Sequence, residues 1–493
     1  MLTALALLLL PAALACLVAG IVWTRRRGAE SSGRQEQWQL PPAPPGRWPV
    51  IGHFHLLGPL PHQTLAELAK RHGPNLMSLH LGSVLAIVAS TPQAAQLLLQ
   101  SHDHCFASRH RSAATLHLGF NRSDILTSPP SAYWRRMRQL CSSDLFSPKR
   151  ILSFQPMRAA GVRSLLSEIL AHRDSPMQLR PALLTTMLDI IAKMAIGRSL
   201  SRVSCHATDL MSEGYERRLK AVAQQWGSLL QGVLDERRWA DEGDRRHSGS
   251  SSAMGTDVLD VLLSLPELTD DNIKGVIANM FMGGTDTTAI TIEWALAELL
   301  ANPPTLKALQ NELDMVVGTT RLVEEEDLTN LPYLQAVVKE TMRLHPVGPF
   351  LVPHQSSQAC EVGEYKIPAD TRVLVNVWAI GRDPNVWDNP SRFDPNRFME
   401  KGSYSHVNVY GRHFELIPFG SGKRKCPALS LGLLSVHFFV ASLVQAFDWK
   451  LPSTSPIVDF EEKYGLAVTL ASPLCIIPSP RVDKFSVDRC CLN

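Results

Sequence analysis

The sequence lacks several features that would assign it to a common class of protein. Its 493 residues include 49 Lys and Arg against 46 Asp and Glu, so a net charge of +3 gives no reason to expect a nucleic-acid partner. Internal repeats are absent. The nine cysteines are scattered without a Cys-x-x-Cys pair, which argues against both a disulfide framework and a cysteine-rich zinc site. We therefore expect the folded part in a reducing compartment.

Charge is also absent from the first 23 residues, and three arginines follow at positions 25–27. A membrane span needs roughly 20 apolar residues, whereas a cleaved signal peptide usually has a shorter apolar region with its positive charge in front. Because the charge lies behind the apolar run, the arginines should stay on the cytoplasmic side. Residues 1–27 are therefore predicted to be an uncleaved signal anchor, with everything after them in the cytosol. A cleaved secretory signal is the alternative.

The remaining chain divides into a connector and one catalytic unit. Residues 28–52 combine a polar tether with the proline-rich stretch "LPPAPPGRWPVIG", which suits a stiff hinge. Residues 53–493 are predicted to form one compact, mainly α domain with a small β region. A hairpin is expected over Leu76 to Ser90 because apolar and β-branched residues alternate there. The charged, Gly/Ser-rich segment from Asp235 to Thr256 is predicted to be an exposed loop.

One short stretch, "FGSGKRKCPALSLG" from Phe419 to Gly432, places a single cysteine in a cationic, glycine-containing loop. Pro427 suits the first position of a helix, so Cys426 would cap that helix at the positive end of its dipole. Together with the basic residues 423–425, this setting predicts a thiol pKa well below the usual value of about 8.5. A lone thiolate presented in this way can act as a nucleophile or as a metal ligand.

The run behind this cysteine, residues 427–447, contains no Asp, Glu, Lys or Arg. By length and composition it could be a second membrane span. A fully buried core helix explains it equally well. Ser430, His437 and Gln445 interrupt the apolar run and favour the core helix.

Three further motifs accompany the cysteine loop: "YWRRMRQL" with Trp134 and Arg138, Glu340-x-x-Arg343 in "VVKETMRLHP", and "FDPNRF" with Arg397. Together with Phe419-x-x-Gly-x-Arg-x-Cys426 they resemble the cytochrome P450 superfamily, and the resemblance runs from the proline-rich hinge to residue 480. It implies the cytochrome P450 fold, a haem cofactor and dioxygen chemistry.

The resemblance also implies roles for individual residues. Cys426 would be the axial ligand of the haem iron, with Phe419 packed beside the sulfur. Four residues would bind the haem propionates: Trp134, Arg138, His354 and Arg424. Three would form a structural cluster without a chemical role: Glu340, Arg343 and Arg397. Two positions depart from the family pattern, because Ala428 and Asn396 stand where the family has glycine and glutamate.

The stretch "ANMFMGGTDTTAITIEW" contains a glycine pair in a helical context, which costs about 1 kcal/mol for each glycine and indicates a kink or a close approach. A threonine here can simply bond back to the carbonyl one turn earlier. The resemblance instead implies a groove for dioxygen, where Asp286 and Thr287 organise water that delivers protons.

Other phrases, including "FASRH", "RLHPVGPFLVPH" and "FELIPFGSGKRKCP", resemble plant microsomal members that process phenylpropanoids, flavonoids and other specialised metabolites. Several also resemble plant hydroxylases of medium-chain fatty acids. Carrying over the family's substrate-contact regions gives an apolar pocket, which suits a hydrophobic small molecule. Its residues are Leu116, His117, Leu118, Phe120, Met280, Phe281, Gly283, Val347, Phe350, Leu351, Leu466 and Thr469.

The predicted function is the insertion of one oxygen atom from O2 into a hydrophobic small molecule, most simply an aromatic of the phenylpropanoid or flavonoid type. In-chain hydroxylation of a medium-chain fatty acid is the alternative within this class. A haem-thiolate isomerase or dehydratase that uses no dioxygen, and a haem sensor without turnover, are the alternatives outside it.

No Gly-x-Gly-x-x-Gly fingerprint or other flavin or nicotinamide signature is present, so the electrons must come from another protein. The resemblance implies the NADPH–cytochrome P450 reductase of the endoplasmic reticulum membrane. A basic face is predicted to steer that acidic flavoprotein into contact, and its members are Arg135, Arg136, Lys423 and Lys425.

Overall fold

The computed structural model describes residues 39–199, 215–248 and 257–481. These residues form a mainly α-helical body with a small β region, which confirms the predicted class. The predicted anchor, residues 1–27, lies outside the described residues, and so does most of the tether.

Helices in the first half of the chain are mostly short and lead into longer packed helices. They are α1 (Pro61–His72), α2 (Pro92–Gln96), α3 (Asp103–Phe106), α4 (Ala113–His117), α5 (Ala132–Leu140), α6 (Pro148–Ser153), α7 (Gln155–Ala171), α8 (Leu179–Ile196) and α9 (Tyr215–Ser248). Those of the second half are α10 (Val258–Leu263), α11 (Asp270–Gly284), α12 (Asp286–Ala301), α13 (Pro303–Val316), α14 (Pro332–Leu344), α15 (Val377–Ile380) and α16 (Leu429–Ala446). Shorter turns are the π-helical segments Leu97–Ser101 and Cys141–Leu145, and the 3-10 segments Phe54–Leu56, Glu325–Asn330, Pro395–Phe398 and Gly422–Arg424.

The β region consists of small separate sheets. Its strands are β1 (Leu76–Leu81), β2 (Val84–Ala89), β3 (Met177–Gln178), β4 (His354–Gln355), β5 (Cys360–Val362), β6 (Tyr365–Ile367), β7 (Arg372–Val375), β8 (Phe447–Lys450), β9 (Glu462–Lys463), β10 (Thr469–Leu470) and β11 (Cys475–Pro480). The largest sheet has the order β1-β2-β7-β4, a second has the order β3-β11-β8, and β5-β6 and β9-β10 form pairs. β1 and β2 pair antiparallel from Leu76↔Ala89 to Leu81↔Val84, which confirms the predicted hairpin.

Two apolar helices occupy the middle of the main core. In α12 every residue from Thr288 to Leu299 is buried, as expected for a helix that is covered on all sides. Among the described residues, α16 alone is long and apolar enough to cross a membrane, yet 72% of it is buried inside the protein. Burial of this kind agrees with the core-helix interpretation of residues 427–447.

The prediction of an exposed loop from Asp235 onward is wrong for residues 235–248, which belong to α9; residues 249–256 lie outside the described part. Charge and glycine suggested a loop, but these charges have partners on neighbouring elements. Arg237 Nη2 donates to Asp257 Oδ2 at 2.9 Å, and Arg198 Nη1 donates to Glu236 Oε2 at 2.8 Å. Ion pairs and the burial of Leu234 stabilise the helix, although the composition of this stretch favours a loop.

The proline-rich stretch contacts the first sheet. Ser78 N–H donates to the Pro42 carbonyl at 2.8 Å, and Gly52 forms an isolated antiparallel bridge with Leu81. Gly52 has φ +64°, and a Cβ there would lie 2.3 Å from the His80 carbonyl oxygen. The close approach therefore requires glycine at this position.

Candidate active site

The loop that carries Cys426 is held against the start of the helical body. Gly422 has φ +64°, and a Cβ there would lie 2.0 Å from the Leu99 carbonyl oxygen, so the backbones touch. Asp103 Oδ2 accepts the Lys423 N–H at 2.9 Å. Cys426 N–H donates to the Phe419 carbonyl at 2.9 Å and closes the turn. These contacts fix the position of the sulfur.

The predicted start of the following helix is wrong by two residues. α16 begins at Leu429, so Cys426 does not cap it and Pro427 is not its first residue. Residues 427 and 428 form a turn instead, and the Ala428 N–H hydrogen-bonds to the cysteine. Proline supplies the turn here because its fixed φ suits a turn as well as a first helical residue.

The predicted lowering of the Cys426 pKa is also wrong for the polypeptide by itself. Burial raises the pKa of the thiol, and the Ala428 hydrogen bond with the charges of Arg138 and Lys425 opposes that rise only in part. Desolvation dominates because the sulfur is surrounded by protein. A coordinating metal ion deprotonates such a thiol outright.

Arg424 and Trp134 form a stacked pair beside this loop. The Arg424 guanidinium carbon lies 4.2 Å from the centre of the Trp134 ring. Arg424 donates to the carbonyls of Ala107 at 2.7 Å and Ile125 at 3.2 Å, and also to that of Ser128. Burial, followed by the charge of Arg138, lowers the pKa of Arg424 to about 9.

His354 and Arg109 complete this region. His354 Nδ1–H donates to the Phe106 carbonyl at 2.9 Å, and burial with the nearby Arg109 charge lowers the histidine pKa well below its ordinary value. Burial, with repulsion from Arg424 and Arg138, likewise lowers the pKa of Arg109. We call Arg109, Arg138 and Arg424 the cation cluster. Their mutual repulsion means that a bound anion would stabilise all three.

The three residues predicted as a structural cluster lie together and are buried. Arg343 donates two hydrogen bonds to the Glu340 carboxylate, from Nε to Oε2 at 2.7 Å and from Nη2 to Oε1 at 2.8 Å. Arg397 Nε donates to Glu340 Oε1 at 3.0 Å. The remaining donors of both arginines reach backbone carbonyls, including those of Asp388 and Arg392. We call this group the ion-pair lock.

The helix is interrupted where the sequence predicted a kink, because α11 ends at Gly284 and α12 begins at Asp286. A Cβ on Gly284 would lie 2.6 Å from the Ile191 side chain, whereas a Cβ on Gly283 would meet nothing within 4 Å. Gly284 thus allows close packing and Gly283 faces open space. Thr287 Oγ1 donates to the Gly283 carbonyl at 2.6 Å, which is the back-bonded geometry considered above.

The other member of the predicted pair, Asp286, is exposed at this break. The surrounding protein still desolvates its carboxyl group enough to raise its pKa. A carboxyl with a raised pKa is a better proton carrier near neutral pH than an ordinary aspartate.

The structure brings two of the predicted pocket regions together. Val468 N–H donates to the Val347 carbonyl at 2.9 Å, which joins the segment after α14 to the C-terminal segment with Thr469. A Cβ on Gly420 would lie 3.8 Å from Leu351, so that leucine lies at the cysteine loop. Leu116 and His117 lie in α4 and Leu118 directly follows it, and α4 packs against α9. Met280 and Phe281 are buried on α11, next to Gly283.

Three predicted pocket residues have other surroundings. Phe350 packs in the cluster under β1 and β2, where its ring centre lies 6.4 Å from that of His62. Leu466 is 82% exposed. Phe120 lies below the Lys274 ammonium, which is 5.5 Å from its ring centre. The family's contact regions therefore do not say which side chains would face a substrate, and the pocket stays a prediction.

The predicted basic face is only partly free for a partner. Arg135, Arg136 and Lys423 are exposed. Arg136 Nη2 already pairs with Glu267 Oε1 at 3.0 Å. Lys425 is half-buried, and its Nζ donates to the Tyr410 carbonyl at 3.4 Å. Arg135 and Lys423 are thus the stronger candidates for contact with another protein.

Sequence reasoning missed Arg109, Asp124 and Asn279. Asn279 on α11 holds the segment from Asp124 to Thr127, and Arg109 donates to the Leu126 carbonyl at 3.3 Å. Asn279 and Asp124 are 155 positions apart, so no local pattern could have paired them. The one available signal was a polar Asn279 within the apolar run "VIANMF".

Comparison with known proteins explains this arrangement. The family model described as Cytochrome P450 matches residues 41–227 and 203–476. The flavonoid 3'-monooxygenase CYP75B137 of Crocosmia x crocosmiiflora is 40% identical over 91% of this chain and 95% of its own. The 3,9-dihydroxypterocarpan 6A-monooxygenase of Glycine max is 37% identical over 92% and 95%. The trimethyltridecatetraene synthase of Zea mays is 40% identical over 91% and 90%.

A zebra fish cytochrome P450 solved with abiraterone has a TM-score of 0.75, is 28% identical, and matches 85% of this chain and 100% of its own. The fold and the cysteine loop therefore define a haem-thiolate monooxygenase. The chain belongs to the cytochrome P450 family, and among its members it resembles plant enzymes.

The residues present fit a haem. A half-buried thiol lies in a loop whose glycine backbone touches its support, and the cation cluster lies beside that loop with the neutral His354. A soft sulfur ligand suits iron, and guanidiniums with lowered pKa values suit the carboxylates of a macrocycle.

Proposed function

We propose that this protein hydroxylates a hydrophobic aromatic of the phenylpropanoid or flavonoid type with one atom of dioxygen. The observation that carries the chemistry is the half-buried Cys426 thiol beside the cation cluster. When bound, a haem with a thiolate ligand would supply the activation of dioxygen and favour O–O cleavage. In this assignment Cys426 binds the iron, Phe419 packs beside the sulfur, and the propionates are held by Trp134, Arg138, His354 and Arg424.

Asp286 and Thr287 are proposed to manage protons at the helix break. Interruption of the helix at Thr285 brings a carboxyl of raised pKa next to a hydroxyl. The Thr287 hydroxyl donates to Gly283, so its oxygen can still accept a hydrogen bond from a water molecule. A water held there by the threonine could receive its proton from Asp286.

Apolar walls support the aromatic substrate class. Met280 and Phe281 are buried on α11, and Leu351 lies at the cysteine loop. Two of the relatives above are named for oxidising flavonoids or pterocarpans. Carboxylate capture would need a cation that faces this wall, and the pocket regions themselves contain none in sequence. We therefore favour a neutral aromatic over a free fatty acid.

An acyclic hydrocarbon-like substrate is the second candidate. The Zea mays relative named for trimethyltridecatetraene synthesis is as similar as the flavonoid enzyme, at 40% identity. A mainly apolar wall accepts either shape. Only a substrate panel distinguishes the two.

Electrons are proposed to come from NADPH through a separate membrane-bound reductase. Residues 1–27 would anchor the protein in the endoplasmic reticulum membrane, residues 28–52 would form the connector, and residues 53–493 would face the cytosol. Arg135 and Lys423 would steer the acidic flavoprotein to the surface beside the cysteine loop. Reversing both charges should slow the first electron transfer at low salt and weaken its salt dependence, whereas an unchanged rate would place the docking surface elsewhere.

The substrate proposal is tested with a flavanone, a pterocarpan, a medium-chain fatty acid and an acyclic hydrocarbon-like compound. Each is titrated while the Soret band is followed, and then incubated with reductase, NADPH and labelled dioxygen. We expect a spectral shift and one labelled oxygen in the product from an aromatic compound. An unlabelled isomer or dehydrated product would indicate a non-oxygenase, and binding without any turnover would indicate a sensor.

A further inference from the structure

The segment from Phe120 to Ser128 separates α11 from the cation cluster, and it is neither helix nor strand. Phe120, Asn121 and Arg122 have positive φ values of 47°, 56° and 62°, so this chain segment cannot continue α4. Interactions other than the regular backbone hydrogen bonds of a helix or sheet must therefore hold the segment in position.

On one side the segment is held by a single amide side chain of α11. Asn279 Oδ1 accepts the N–H groups of Ile125 and Leu126, both at 3.0 Å. Its Nδ2 donates to Asp124 Oδ2 at 3.0 Å, and Asp124 Oδ1 accepts the Thr127 N–H at 2.7 Å. Every polar atom of the Asn279 side chain is thus used, and Asp124 is only 1% exposed.

α11 is shaped to receive this segment. A Cβ on Gly275, one turn before Asn279, would lie 3.1 Å from the Asp124 Cα. The glycine therefore lets the segment lie directly on the helix surface. Contact this close leaves Asp124 and Asn279 little freedom to move apart.

On the other side, the same short stretch of peptide holds the predicted haem-binding residues. The Ile125 carbonyl accepts from Trp134 Nε1 at 3.0 Å and from Arg424 Nη1 at 3.2 Å. The Leu126 carbonyl accepts from Arg109 Nε at 3.3 Å. Ile125 and Leu126 thus each bind α11 through the N–H group and the cation cluster through the carbonyl.

We infer that Asn279 and Asp124 are positioning residues that hold the haem-binding cations in a fixed position relative to α11. This inference rests on the proposed haem-binding role of Trp134 and Arg424. Neither positioning residue touches the cofactor in this assignment. They act through the two peptide groups that carry Ile125 and Leu126.

The test is the first-order rate at which haem transfers from the full-length holoprotein to excess apomyoglobin. Asn279→Ala leaves two buried N–H groups without an acceptor, and Asn279→Asp places a second carboxylate against Asp124. Each should transfer haem at least tenfold faster than the wild type. The exchange of both residues, Asp124→Asn with Asn279→Asp, restores the hydrogen bonds named above between Asn279, Asp124 and the N–H groups of Ile125, Leu126 and Thr127, and should return the rate to within about twofold.

Gln445→Ala is the matched control. Gln445 is also a buried amide that holds a loop with three hydrogen bonds, to Val323, Gly318 and Arg321. It lies about 24 Å along α16 from the cysteine end, at 1.5 Å for each residue. Its loss should lower the unfolding temperature without changing haem transfer well below that temperature.

Arg424→Leu separates failure of this inference from failure of the proposed site. If Arg424→Leu transfers haem faster but both Asn279 variants match the wild type, the positioning role is wrong and the cofactor assignment stands. Failure of the exchange variant to restore the rate also overturns the pairing. If Arg424→Leu itself has no effect, the haem-binding assignment fails and this inference fails with it.

Discussion

Two groups of arginines, one buried and one partly buried, behave differently, and the difference distinguishes a structural role from a chemical one. In the ion-pair lock, Glu340 lies between Arg343 and Arg397, and carbonyl oxygens accept the remaining donors. In the cation cluster, Arg109 and Arg424 lie near each other and near Arg138, and burial with mutual repulsion lowers their pKa values. The charges of the ion-pair lock are paired within the polypeptide, whereas the cation cluster is suited to bind an anionic cofactor.

The largest effect is expected from breaking the lock. Glu340→Ala leaves two buried guanidiniums without their shared carboxylate, and loss of one partner of a buried pair costs about 3–5 kcal/mol. We expect the free energy of unfolding to fall by that amount, measured by denaturant titration. Glu67→Ala is the control, because it removes an exposed pair with Lys70 worth about 0–1 kcal/mol. Equal effects of the two variants would show that the lock is dispensable.

A substitution in the cation cluster should affect the cofactor more than the fold. Arg424→Leu removes a charge-assisted contact worth about 1.5–3 kcal/mol, so haem transfer to apomyoglobin should become about 10- to 100-fold faster. Arg412→Leu, an exposed arginine of the same loop region, should leave the rate unchanged. A large loss of stability without faster haem transfer would show that Arg424 has a structural role, like the arginines of the ion-pair lock, and does not bind the cofactor.

At the helix break, Thr287→Ala should leave haem and substrate binding intact but uncouple electron use from product formation. Product formed for each NADPH consumed should fall by about tenfold, with peroxide released, because a positioned proton donor contributes at least that much. Thr291→Ala is the matched control, since Thr291 Oγ1 also donates to the carbonyl four residues earlier, at 2.7 Å. Equal coupling in the two variants would leave Thr287 with only the back-bonded structural role.

The smallest effect belongs to an exposed pair. Hydrogen bonds from Arg238, ahead of those from Gln231, lower the pKa of Asp270 to about 2, below its ordinary value of about 3.9. A lowered carboxyl pKa stabilises the fold above the unfolded-state pKa, and the gain disappears as the pH falls from about 4 to 2. Because both side chains are partly exposed, Asp270→Asn should cost no more than about 1 kcal/mol at pH 7. Comparison of unfolding at pH 7 and pH 3 measures this, and a larger loss at pH 3 would contradict it.

Local sequence patterns predicted the structural features that depend on residues close together in the chain. The hairpin at Leu76 follows from β-branched alternation, and the interruption of the helix after Gly284 follows from the glycine pair. Glu340 and Arg343 are one helical turn apart, so their contact is local. Their partner Arg397 could be named only through a family resemblance.

Features that depend on contacts between residues far apart in the chain could not be predicted from local patterns. α9 continues through a charged, glycine-containing stretch because residues such as Asp257 and Asp270 accept its arginines. Asn279 and Asp124 meet only in the folded chain. The pKa of Cys426 was misjudged because the number of surrounding atoms, which determines desolvation, cannot be counted in a sequence.

The central claim is that Cys426 alone supplies the thiolate to the haem iron, and the spectrum of the reduced carbonyl complex tests it most directly. We predict that the wild type shows the strongly red-shifted Soret band of thiolate ligation. Cys141→Ser is the control at another thiol, which is buried near Arg138 and is not assigned to the iron, and it should keep that band. Cys426→Ser should lose it. A Cys426→Ser protein that keeps the red-shifted band would contradict the assignment of the iron ligand.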